Sequence, residues 1–442
     1  LAKHNKGRGR VKAVIQVDIK DIFFWRKVWL IRGFHEILLF EMTNRLSKKK
    51  SVGLVLSGGG IKAAAFHIGV CMALKEKGYI FAGGTKDHVR RAYPEEDSKI
   101  IRTYVGSSAG AFVASILAAG YSLEDLIRAF EIGIAKKSRF ADGVDSQLRP
   151  IRYKDLFHLN SRGILFSLPN ALRARSIISG SWEALLKDKF KVNGFFTTKN
   201  LEKYLRQQAL AHNEFSQLGV NLFVIGTQLN HSRKVIFGNF PESTKTDKVI
   251  FVNYAKISEA VAASTSLPPV FAPYGIKRPD GREIHFFDGE IRDTLSTHVA
   301  ADHGADLVIS SYSVQPYHYT EEVGSLHKYG IPAIVNQALY QVIQQKIDRH
   351  ITHQGDIRGI YSAIDGYFKQ NNLPEEHREK VLEIIRHRVR YKPDVDYIYI
   401  HPSPRNYEMF FADHFSLNPT ILEKIARIGF RSAISVLRRH NI

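Results

Sequence analysis

The chain has 442 residues, 44% hydrophobic and 11% aromatic, with 32 Gly, 15 Pro and one cysteine. This composition can build a sizeable core; it excludes a disordered chain, a collagen-like repeat, an internal disulfide and a thiolate zinc cluster. Lys and Arg number 63 against 43 Asp and Glu, a formal charge of +20 that favours nucleic acid, anionic lipid headgroups or an acidic partner.

Residues 1–50 carry 13 basic and 4 acidic side chains, so the other 392 residues hold only +11 of the charge. No zinc-finger, homeodomain or RNP-like pattern appears, and no nucleic-acid partner is expected. No run of 18 apolar residues suggests a transmembrane helix. The sequence starts at Leu1, and a targeting segment removed ahead of it stays open; otherwise a cytoplasmic or peripheral membrane protein is expected. Within 21–46, Phe24, Val28, Ile31 and Leu38 recur at helical spacing, and Trp25 and Trp29 lie four apart beside Arg26, Lys27 and Arg32. Such a helix suits an anionic lipid interface, or else packs on the following domain or on a second subunit. Lys48–Lys50 reads as a solvated linker, with a phosphate-facing patch as the alternative.

Residues 52–56, VGLVL, predict a buried strand, and Ser57-Gly58-Gly59-Gly60 a tight turn that bares backbone N–H groups. From Ile61 the apolar pattern through Phe66, Val70 and Leu74 predicts a helix ending near Gly78. Strand, glycine turn and helix make a site for negative charge. Lys62 is misplaced for a P-loop. Gly58, Gly60 and Ala63 satisfy a dinucleotide fingerprint, although its acidic partner would have to come from the charged stretch around Asp87. An oxyanion hole uses the same donors, and on this segment alone both readings stand.

The strand predicted at 100–105 runs into Gly106-Ser107-Ser108-Ala109-Gly110 and a small-residue helix that stops at Gly120. This is G-x-S-x-G in the strand–turn–helix setting that exposes a nucleophilic serine. Gly106 and Gly110 clear the bend, Ser108 sits at the strand tip, and the Ala109 N–H can join the first turn around an oxyanion. The base is less obvious. His67 reads as a packing residue inside an apolar helix. His298 and His303 would serve only if they converged on Ser108 with Asp288. Asp288, at the end of a strand and before Gly289, is the sharper candidate: a water-poor cleft raises a carboxylate's basicity. Asp280 lies in a Pro- and Gly-rich hairpin and reads as a turn residue.

Together these motifs resemble the patatin-like phospholipase family. Its Gly-Gly-Gly-x-Arg/Lys-Gly oxyanion motif is matched by Gly58-Gly59-Gly60-Ile61-Lys62-Ala63, its nucleophile motif by Gly106–Gly110, and its Asp-Gly-Gly/Ala motif by Asp288-Gly289-Glu290. The resemblance implies a three-layer α/β/α core and a Ser108–Asp288 dyad that hydrolyses lipid acyl esters without a catalytic histidine. It also implies an oxyanion hole from Gly58, Gly59, Gly60 and Ala109, with Lys62, Gly106, Gly110 and Gly289 in support. Lys62 is expected to orient the loop or attract an anionic headgroup. No cofactor and no metal are expected. The partners expected are a phospholipid or lysophospholipid substrate and peripheral contact with an anionic membrane, and a homo-oligomer is left open. Ala63 and Glu290 depart from the pattern, each replacing a smaller residue.

The expected organisation is a basic amphipathic extension (1–50), a catalytic core (51–315) with a helical excursion at 121–215, and a mainly helical C-terminal region (316–442). The excursion contains helical spacing at Leu123–Phe130 and Trp182–Phe190 and an apolar segment at 163–174; it either caps the cleft or forms a side layer of helices. Further strands are predicted at 219–227, 234–238, 249–252, 306–311 and 396–402. Helices are predicted at 330–351, at 376–391 and from Pro419, with a loop around 366–368. A dinucleotide-binding oxidoreductase and a catalytically inert lipid-binding scaffold are the competing classes.

Overall fold

The computed structural model describes residue 46 and residues 49–94, 97–132, 148–161, 193–231, 233–389 and 391–442. The chain forms two compact units, Leu1–Lys48 with His440–Ile442, and Lys49–Arg439; every catalytic motif lies in the second. The helix expected within 21–46, the apolar segment 163–174 and Trp182–Phe190 lie outside the described residues, Leu46 excepted.

The strands are β1 (Val52–Leu56), β2 (Ile80–Phe81), β3 (Ile100–Ser107), β4 (His158–Leu159), β5 (Phe196–Thr197), β6 (Asn221–Gln228), β7 (Lys234–Phe237), β8 (Val249–Val252), β9 (Tyr274–Lys277), β10 (Glu283–Asp288), β11 (Leu307–Ser311) and β12 (Asp396–Ile400). The principal helices are α1 (Gly60–Glu76), α2 (Ala109–Ala118), α3 (Leu123–Ala129), α4 (Ile257–Ser264), α5 (Thr297–Asp302), α6 (Gly330–Gln370), α7 (Glu375–Val389) and α8 (Pro419–Arg439). Strands β12, β11, β1, β3 and β6 are parallel in that order, whereas β10 and β7 pair antiparallel with β6. This mixed sheet is flanked by helices, as an α/β/α core requires.

Continuous apolar runs in β1 and β11 are buried throughout, as strands covered on both faces must be. One pleat face packs Val55, Val105, Phe223 and Val308 against Val299 and Ala300 of α5. Helix α1 is buried nearly all round because it is covered by α8, whose Leu422, Ile425, Ala426, Gly429, Ala433 and Val436 form one apolar stripe. The two helices touch backbone to backbone. A Cβ on Gly69 would lie 1.9 Å from the Ala426 carbonyl oxygen, and one on Gly429 would lie 2.2 Å from that of Phe66.

Two of these readings need correction. The loop expected around 366–368 is helix: α6 runs unbroken to Gln370. Glycine costs an exposed helix only about 1 kcal/mol, and Asp365 ties the end of α6 to Arg378 of α7 at 3.0 Å. Lys49 is not a solvated linker residue either. Its ammonium lies 2.7 Å from Asp396 with both side chains nearly buried, which fastens the chain before β1 to β12. Among the described residues no helix is long and apolar enough to cross a membrane.

Gly69→Val should therefore lower the unfolding free energy by about 3 kcal/mol or more, since overpacking here strikes backbone. Gly355→Ala, at an open position of α6, should raise it by up to about 1 kcal/mol. Chemical denaturation of the two variants checks both signs.

Candidate active site

The site forms where two strands meet end to end along one edge of β6. Ser107 of β3 pairs with Ile225, and Asp288 of β10 pairs with the next residue, Gly226. Ile225 and Gly226 also pair with Ile236 and Val235 of β7. A strand has two edges, so β3 and β10 must share the one that β7 leaves open. The tips of β3 and β10 are thus forced together.

At the first tip the backbone is strained. Ser108 has φ 51° and ψ −121°, a conformation that L-residues hold only when their surroundings impose it. Its N–H donates to Ser264 Oγ at 2.8 Å, and that hydroxyl donates to the Ile225 carbonyl at 2.5 Å. Ser264, which the motifs did not single out, lies within the AVAASTSLPP stretch. The flanking glycines are steric necessities. A Cβ on Gly106 would lie 2.4 Å from Ala111 Cα, and one on Gly110 would lie 2.2 Å from the Leu56 carbonyl oxygen.

At the second tip Asp288 is 2% exposed. Its backbone N–H donates to the Ser266 carbonyl at 3.1 Å, and Thr227 Oγ1 donates to its carbonyl at 3.0 Å. The carboxylate accepts from the Glu290 N–H at 2.8 Å, and the nearby Ser108 side chain favours its charged form. Burial pushes its pKa up to about 6, against the pull of Ser108 and the Glu290 N–H. Gly289 lets the chain leave: a Cβ there would meet the Ile225 carbonyl oxygen at 2.4 Å.

The first glycine turn closes the site. Gly59 and Gly60 have φ 131° and 72°, and the N–H groups of Gly59, Gly60 and Ala109 donate to no protein acceptor among the described residues. Gly58 differs from the expectation. Its N–H donates to Glu290 Oε1 at 2.7 Å, so it shapes the turn and is not a free donor. Lys62 also departs from its expected second role. It is fully buried, donating to Tyr340 Oη and to the Met409 carbonyl at 2.8 Å each, and desolvation lowers its pKa to about 7. It holds the loop and cannot reach a headgroup. Tyr340 Oη in turn lies 3.0 Å from His414 Nε2, and His414 Nδ1 lies 3.4 Å from the Gly59 carbonyl.

Glu290 is itself buried. One carboxyl oxygen holds Gly58 while the other has no hydrogen-bond partner. Burial first, then the nearby Asp288 charge, raises its pKa well above the usual carboxylate range. The histidines considered are each engaged with other partners. His67 bonds Ser311 Oγ and the Ser57 carbonyl at 2.8 Å each, and burial lowers its pKa to about 4. His298 meets Lys234 at 2.9 Å, and His303 meets the Val299 carbonyl at 2.8 Å. Asp280 pairs with Arg282 in the β9–β10 turn.

An apolar cavity of about 80 Å³ adjoins Ser108, walled by Phe112, Phe130, Leu156, Phe157, Phe271 and Phe415. Phe157 is its hub, stacked on Phe271 at 5.4 Å and edge-on to Phe415 at 5.7 Å. The described parts of the excursion 121–215 thus build one wall of the cleft.

A helix-flanked mixed sheet, with a glycine-bracketed serine on a strained strand–helix bend, defines an α/β/α hydrolase core. The sequence model for patatin-like phospholipases matches residues 54–301, and the chain belongs to that family. Membership places it among lipid hydrolases as a class. Among solved structures, it is similar to one described as full-length SpcU in complex with full-length ExoU from the type III secretion system of Pseudomonas aeruginosa. The identity is 18% and the TM-score 0.23, over 68% of this chain and 53% of that one, so the chain spans about half the length of that relative. No curated protein gives a significant match.

If Asp288 accepts the proton, activity needs its ionised form. The kcat/KM profile should then rise with pH through about 6, falling about tenfold per pH unit below it. Glu290→Gln keeps an acceptor for the Gly58 N–H and should retain most activity. Glu290→Ala strands that N–H and should cost about 1–3 kcal/mol of stability, with kcat falling while KM changes little. Rate profiles and melting curves of the pair test this.

Proposed function

We propose that the protein hydrolyses fatty-acyl esters of phospholipids or lysophospholipids, with Ser108 as nucleophile and Asp288 as its base. The observation that carries this reading is the register on β6, which brings Ser108 at the tip of β3 and the buried Asp288 carboxylate at the tip of β10 to adjacent positions, beside an aromatic cavity suited to an acyl chain. Asp288 takes the hydroxyl proton as Ser108 Oγ attacks the ester carbonyl. The N–H groups of Gly59, Gly60 and Ala109 face the oxyanion; each such donor is worth roughly 3–4 kcal/mol. The protonated Asp288 then gives its proton to the departing alkoxide, leaving an acyl-serine. In the second half Asp288 activates water, which releases the fatty acid and restores Ser108. A carboxylate with a pKa of about 6 is basic enough to act near neutral pH yet still returns its proton.

Mass-resolved product analysis on mixed phospholipid vesicles tests the reading. Ser108→Ala and Asp288→Asn should each reduce fatty-acid release by a factor of about a thousand or more. A fluorophosphonate should label the intact protein and leave Ser108→Ala unlabelled. Undiminished release by Ser108→Ala would reveal another nucleophile, and an intact protein with neither release nor labelling would be an inert scaffold. Accumulation of lysophospholipid marks a phospholipase A, and its disappearance a lysophospholipase.

A further inference from the structure

The first half of α6 has no charged side chain from Gly330 to Gln345, yet it is not a core helix. Ile331, Ile334, Val335, Leu339 and Val342 are 77, 48, 59, 52 and 52% exposed. Their spacing puts them on one stripe some three turns long. Tyr340 and Ile347, on the opposite side of the helix, are buried. Soluble monomers rarely leave a contiguous apolar stripe of this kind to water.

Both ends of the stripe are cationic. Lys328 and Tyr329 precede it, and Tyr329 packs on Phe411 with ring centroids 4.9 Å apart. Lys346 and Arg349 continue the same helical face beyond Val342. With Arg292, His350 and His353 they line one surface depression of about 550 Å³. The acid in that depression, Asp293, is already paired with Lys234.

We infer that this outward face of α6 docks the protein on an anionic lipid bilayer, with its apolar side chains at the acyl boundary and Lys346 and Arg349 among the headgroups. An apolar helical stripe with cations at its ends is the arrangement that holds a helix in the plane of an interface. The formal charge of +20 has the matching sign. The inference extends the lipid-hydrolase reading by naming the face that meets the substrate surface. The same helix also grips the site from within. Tyr340, one residue past Leu339, receives the Lys62 hydrogen bond at 2.8 Å and contacts His414, which faces the Gly59 carbonyl. Docking thus acts on an element that braces the first glycine turn.

Vesicle flotation of the full chain tests this, using phosphatidylcholine alone and with phosphatidylserine added. The intact protein should float chiefly with the anionic vesicles. Ile331→Glu combined with Val335→Glu and Leu339→Glu should weaken that binding at least tenfold. Lys346→Glu with Arg349→Glu should weaken it at least fivefold for each charge reversed, on anionic vesicles alone. Both variants should retain the intact protein's melting temperature and its rate on a short-chain soluble ester. If the glutamates unfold the chain, Val335→Ser with Leu339→Ser provides the same comparison. Flotation unchanged in the stripe variants overturns the inference. So does an intact protein that runs as a dimer, becomes monomeric in the stripe variants and floats equally well throughout. An intact protein that floats but releases no fatty acid would sink the hydrolase reading and leave the docking face standing.

Discussion

Two consecutive residues of one strand, Ile225 and Gly226, hold the chemistry together. Ile225 takes Ser107 as its partner and Gly226 takes Asp288, on the same edge of β6. A parallel strand and an antiparallel one cannot both continue along that edge, so each must stop where the other begins. The stop creates the site, because a strand tip exposes its last side chain. It also explains both glycine motifs. Gly106 and Gly110 let β3 turn into α2 without striking Ala111 or Leu56, and Gly289 lets the chain leave β10 past the Ile225 carbonyl. The Ile225 carbonyl also accepts from Ser264, the residue that satisfies the strained Ser108 N–H.

Burial then decides which groups carry charge. The same desolvation that raises Asp288 to about 6 drives His67 down to about 4. An acid thereby gains basicity while a histidine is reduced to a neutral strut between β11 and the turn after β1. Glu290 completes the logic. Burial raises the pKa of both carboxyls, and the charge on Asp288 adds to the rise at Glu290. Glu290 holds Gly58 through its Oε1. The resemblance marks this position as one where the family pattern has a small residue. Here it is filled by a side chain whose Cγ would lie 2.4 Å from any Cβ on Gly58, so the first and third motifs interlock.

What could be read from the sequence follows from range. The strand–turn–helix units at 52–76 and 100–118 are local, and their apolar runs and glycines show them. Ser108 and Asp288 are legible because each motif states its own backbone requirement. Their meeting is a matter of register on β6, and no local pattern encodes register. The fate of Lys62 was hidden for a similar reason: its partners Tyr340 and Met409 lie nearly 300 or more residues away in sequence. Lys49 likewise looks like a solvated charge until β12 arrives with Asp396. At 366–368 the error ran the other way. Glycine signalled a break, but the local penalty is small beside the pairing of α6 with α7.

The residues past the family-matched segment are part of the site as much as of the scaffold. Strand β11 is the sheet neighbour of β1, so the first glycine turn is launched from a strand whose partner lies beyond residue 301. The His414 carbonyl accepts the Lys62 N–H at 3.3 Å and would stand 2.5 Å from any Cβ on Gly60, which fixes that turn from outside. Phe415 closes the aromatic cavity beside Phe157. If Ser108 and Asp288 react as proposed, the matched segment contributes the reacting groups, while His414 and Phe415 beyond it fix the first glycine turn and close the aromatic cavity. Specificity in such an arrangement belongs to the pairing of the two parts, because a change at 414 or 415 moves the carbonyl pocket without touching Ser108 or Asp288.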